Sequence, residues 1–82
     1  MNIQQDLREY ITKEAPVQLP EDFNDDYELI DSGILDSLFM MGLIKHLEQN
    51  YKLEFGMNDM VPKNFRSVNV LAEFANKKLG NG

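Results

Sequence analysis

Eighty-two residues leave room for one domain with a modest core. The net charge of −6 argues against a nucleic-acid partner, whose phosphates call for Lys and Arg; with no cysteine, disulfides, thiolate metal sites and a cysteine nucleophile are excluded. No apolar run is long enough to span a bilayer, and the polar start MNIQQDLREY has no secretory character, so a soluble, cytoplasmic protein with no membrane contact is expected.

Ile3, Leu7, Tyr10, Ile11 and Ala15 follow helical spacing behind Asn2, a plausible N-cap, and Pro16 forbids continuation. A first helix over about 3–14 follows. Residues 16–36 form an unusually long connection, of a length that is usually functional in a compact domain. Val17, Leu19, Phe23, Tyr27, Leu29, Ile30, Ile34 and Leu35 are apolar anchors that should lay it across the helices, with the acidic stretch EDFNDDYE facing water. That stretch lacks the register of a calcium loop, and no metal site is expected.

Helical spacing resumes at 37–50, where Leu38, Met41, Leu43, Ile44 and Leu47 can account for a buried face and either Asp36 or Ser37 can cap. Phe39 and Met40 are then left at least partly exposed as a partner surface, unless the long loop covers them. Gly42 inside this helix costs about 1 kcal/mol relative to Ala, which suggests a close approach by the loop or a partner. YKLEF reads as an extended connector, and a short helix over 58–64 is limited by Pro62. Ser67 caps a last helix over 68–79, with Val70, Leu71, Phe74 and Ala75 inward and Lys77, Lys78 and Gly80 suiting its end. The expectation is a single all-α domain: a small four-helix bundle of three main helices and one short helix, with a long first loop.

Catalytic residues are not expected. His46 is the only histidine and lies nine residues from Ser37 on one helix, so the two point in different directions. Charge is unevenly placed: residues 1–36 hold ten acids and two bases, residues 37–82 four acids and six bases. Chance clustering and a surface with two electrostatic faces are both compatible with that.

The stretch DSGILDSL, with one helix before it and two after, resembles the phosphopantetheine attachment region of acyl and peptidyl carrier proteins, and NFRSVNVLAEF resembles the start of the last helix in that family. The resemblance covers roughly residues 3–79. It implies that Ser37 accepts 4′-phosphopantetheine from coenzyme A through a separate phosphopantetheinyl transferase, with Asp36 preceding it and Leu38 seating the modified turn. The arm's thiol would carry an acyl or aminoacyl thioester between an adenylating or acyl-loading enzyme and downstream acyl-transfer enzymes. Fatty-acid carriers line the helix after the serine with acids, whereas SLFMMGLIKHLEQN holds only Glu48. That departure, with NFRSV, looks more like the stand-alone aminoacyl or peptidyl carriers of specialised metabolism, or D-alanyl carriers, and the resemblance implies a monomer. A fatty-acid or polyketide carrier is the alternative, and an unmodified helical interaction module is the alternative of another class.

Overall fold

The computed structural model describes residues 2–80. Three helices, α1 (Ile3–Glu14), α2 (Ser37–Tyr51) and α3 (Val68–Lys78), carry the fold, and no strand occurs among the described residues. Each helix starts at a side-chain cap that satisfies an otherwise orphaned amide. The Asn2 side chain accepts from the Gln5 amide, Asp36 from Phe39 and Ser67 from Val70. The helix expected over 58–64 is instead two separate 3-10 turns, Met57–Asp59 and Pro62–Asn64. Pro62 has no amide to donate, so it opens a new turn rather than extending the previous one.

One core joins all three helices. Ile3, Leu7 and Ile11 of α1 meet Leu43, Ile44 and Leu47 of α2 and Leu71, Ala72 and Ala75 of α3, with α1 lying directly on α3. Phe65, from the connection before α3, is fully buried and packs near Phe55 at 6.3 Å between ring centres. The inward stripe of α3 is Val68, Leu71, Ala72 and Ala75; Phe74 is half-buried, and Val70, expected inside, faces water. The two stripes share Leu71 and Ala75 and their centres lie about a quarter turn apart, and the side that α1 covers decides between them.

The long connection is a packed layer. Leu29 is fully buried; its amide donates to the Arg66 carbonyl at 2.7 Å and its carbonyl accepts from the Leu35 amide at 2.9 Å. Gly33 takes φ 83°, a left-handed conformation that costs other residues dearly, and so lets the chain reverse before Ile34 and Leu35 enter the core. The Cα radius of gyration, 11.7 Å, equals the value of about 12 Å for a chain packed throughout.

The acidic stretch only partly faces water. Asp25 accepts from Arg8 Nε at 2.7 Å, from Arg8 Nη2 at 2.6 Å and from Gln4 Nε2 at 2.9 Å, while Asp26 accepts from Asn69 Nδ2 at 2.6 Å. The loop's negative charge is therefore used to staple it to α1 and α3. The hydrogen bonds from Arg8 hold the Asp25 carboxyl below the usual carboxylate range. A depressed folded-state pKa contributes stability that is complete above the unfolded value of about 3.9 and is lost as pH falls through the folded value. Asp25→Asn should accordingly flatten the acid limb of the stability curve below about pH 4. Urea midpoints at pH 7 and pH 3 measure this, and an unchanged acid limb would discount the staple.

Candidate functional site: the serine at the start of α2

Ser37 is the first residue of α2 and is exposed. The chain has three serines, and their surroundings differ sharply. Ser67 is buried and accepts from the Val70 amide. Ser32 Oγ donates to the Leu29 carbonyl and accepts from the Ile34 amide, inside the turn that Gly33 completes. At α2, capping falls to Asp36, whose Oδ1 accepts from the Phe39 amide at 2.7 Å. Ser37 is thereby relieved of the cap and presents its hydroxyl at the positive end of a helix of 15 residues.

Ser37 reaches this place through a short stack of constraints. Leu29 pins the loop, Gly33 turns it, and Ile34 and Leu35 bury themselves immediately before Asp36. The register of α2 is set from the other side. Phe39, expected to be exposed as part of a partner surface, is only 8% accessible and stacks on Tyr10 of α1 with ring centres 5.9 Å apart. Met40 is half-buried against the core. The exposed apolar side chains are Leu38, at 83%, and Met41, at 56%, both expected inside. Because α2 is apolar on nearly every side at its start, spacing alone offers two stripes. The stripe through Phe39, Leu43 and Leu47 is the one α1 takes. At Gly42 a Cβ would lie 3.2 Å from Tyr10 Oη, so the missing side chain gives the Tyr10 hydroxyl room against α2. Leu38 and Met41, three residues apart, share the outward face beside Ser37.

His46 is half-buried at the other end of the α1–α2 contact. Its Nε2 is 3.2 Å from Asp6 Oδ1, its ring lies 4.5 Å from that of Tyr10, and the Tyr51 hydroxyl donates to Asp6 Oδ2 at 2.7 Å. Burial, with the bond to Asp6, pushes the Tyr51 phenol up to about 12. The carboxylate that meets His46 is 40 positions away in the chain, which is why spacing around the histidine gives no hint of it. Nine residues of helix separate Ser37 from His46 by about 13 Å, too far for a hydrogen-bonded dyad. Groups of three or more metal-ligating side chains are absent among the described residues. No helix among these residues is long and apolar enough to cross a membrane.

The residues around Ser37 suit a covalently attached phosphate: an accessible hydroxyl, a helix N-terminus, and a neighbouring carboxylate already occupied by its own helix. A family profile described as a phosphopantetheine attachment site matches residues 5–75. No curated protein matches the chain. Among solved structures, a chain in a crystal structure described as that of an FAD-dependent dehydrogenase is similar at 29% identity and a TM-score of 0.75, covering 84% of this chain and 97% of that one. The family match runs from within α1, through the long loop and α2, into α3, and the chain belongs to the phosphopantetheine-attachment family: it is a carrier protein whose prosthetic group is 4′-phosphopantetheine, held covalently on a serine.

Proposed function

We propose that Ser37 is the serine that carries the arm, and that the chain is a stand-alone carrier which presents acyl or aminoacyl thioesters to biosynthetic enzymes of specialised metabolism in the cytoplasm. The observation that carries this reading is the division of labour at the start of α2. Asp36 caps, so the exposed Ser37 hydroxyl has no structural duty, whereas Ser32 and Ser67 are each engaged in holding the backbone. The arm supplies the thiol that a chain without cysteine lacks. The protein's own residues hold that arm at the rim of the bundle and raise its concentration at each partner's active site. Incubation with coenzyme A, magnesium and a broad-specificity phosphopantetheinyl transferase should add the mass of one arm, and peptide mapping should place it on Ser37. A wild-type protein left unmodified by several such transferases would count against the reading.

Leu38 and Met41 are the face on which the transferase and the loading enzyme would dock. Leu38 does not seat the turn against the core, since its side chain stands in solvent. A large apolar side chain held out at 83% exposure costs the free protein hydration, and a partner that buries it recovers that cost. Leu38→Ala combined with Met41→Ala should slow arm transfer about tenfold, the equivalent of about 1.4 kcal/mol of docking energy, with the unfolding midpoint unchanged. Initial rates at sub-saturating carrier measure this.

A second reading concerns the fate of the cargo. The match takes in 84% of this chain's 82 residues and 97% of the other chain, so that chain is itself too short for a dinucleotide-binding fold of two βαβαβ halves. That favours an FAD-dependent dehydrogenase among the enzymes that meet this carrier's cargo.

A further inference from the structure

Between α1 and the start of α2 lies an open groove of about 250 Å³. Its walls are the stacked rings of Tyr10 and Phe39 and the ring of Pro16, and it passes over Gly42, where the absence of a side chain leaves space beneath the Tyr10 hydroxyl. That hydroxyl has no hydrogen-bond partner among the described residues. The charged groups lining the groove, Glu14 and Asp36, are both acidic. Asp36 is engaged with the Phe39 amide, whereas Glu14 meets no cation among the described residues. Burial first, and the Glu14 charge second, push the Tyr10 phenol up, which places that carboxylate within electrostatic reach of the hydroxyl.

An apolar slot with one spare hydroxyl and one spare carboxylate suits a small body with an ammonium group and repels an anion. At about 250 Å³ it falls just below the 300–1,000 Å³ of ordinary ligand pockets, a size that matches a small group. Asp36 and Leu38 both line it, and Ser37 stands between them with each neighbouring Cα about 3.8 Å away. A group tethered to Ser37 reaches the groove by bending back over the start of α2, and at the millimolar effective concentration of a short tether weak contacts suffice.

We propose that this groove receives the end of the arm when it carries a small aminoacyl group, with Glu14 meeting the ammonium and the Tyr10 hydroxyl donating to the thioester carbonyl. The proposal rests on Ser37 bearing the arm and deepens that reading by naming the cargo class the protein itself shelters. It gives α1 a role in discriminating cargo before any enzyme is met.

The test uses the full chain, loaded by a transferase with two coenzyme A analogues whose arms end in an alanyl amide or a propionyl amide, alike except for the ammonium. Amide resonances of Tyr10, Glu14 and Gly42 should shift with the alanyl arm and stay near their unloaded positions with the propionyl arm. Glu14→Gln should lower the groove-bound fraction about two- to fivefold, the range of a part-exposed ion pair. Tyr10→Phe, which keeps the ring packing, should lower it as well. Equal shifts with both arms, or an undiminished response in Glu14→Gln, would overturn the role of the ammonium. Loading on Ser37 with no response in the groove would overturn the groove alone, and failure to load would overturn the assignment of Ser37 and this proposal with it.

Discussion

Ser37→Ala is expected to accept no arm at all and to fold as the wild type does. The loss of modification is complete because the substitution removes the oxygen that would form the phosphodiester. The fold survives because Asp36, not Ser37, accepts from the Phe39 amide. Stability should therefore stay within about 0.5 kcal/mol, the usual range for an exposed position. Asp36→Ala is the converse: it retains the hydroxyl and removes the cap, at a cost of about 1 kcal/mol. Intact-mass spectrometry after transferase treatment and urea unfolding of both variants measure the two effects separately. An arm still added to Ser37→Ala would move the attachment to another serine, Ser32 being the more exposed candidate.

Leu29→Ala should produce the largest loss of stability of any loop substitution, about 2–5 kcal/mol. Its side chain is fully buried, and its backbone joins the connection before α3 to the turn that leads into α2. A domain of this size has roughly 4–12 kcal/mol in total at ~0.05–0.15 kcal/mol per residue, so the variant would be near the edge of folding. Equilibrium urea unfolding reads the loss directly. Leu38→Ala, one large apolar side chain removed from an exposed site, is the matched control and should change stability by less than about 0.5 kcal/mol. A Leu29→Ala cost as small as that of the control would mean that the loop is not an integral layer of the core.

The candidate site was legible in the sequence as a place, and its surroundings were not. DSGILDSL carries the turn, the two anchors and the cap in order, each with a local cause: Gly33 for a left-handed φ, Ile34 and Leu35 for burial, Asp36 for an orphaned amide. Local causes of this kind act within a few residues and can be read from them. The exposure of Leu38 and Met41 and the burial of Phe39 have no such cause. They depend on which side of an evenly apolar helix start meets α1, where Tyr10 stacks on Phe39 and sets its hydroxyl against Gly42, 32 positions away in the chain.

The same boundary runs through the whole molecule. The sequence by itself determined the three helices, through their periodicity and their caps Asn2, Asp36 and Ser67, along with the all-α class and the family. Tertiary structure alone decided the pairing of His46 and Tyr51 with Asp6, the stapling of Asp25 to Arg8 and Gln4, the outward turn of Val70, and the division of 57–64 into two short turns. The physical reason is range. Caps, turns and helical periodicity involve neighbours along the chain, while the sign of a surface and the identity of a buried face depend on the side chains brought against it from tens of residues away.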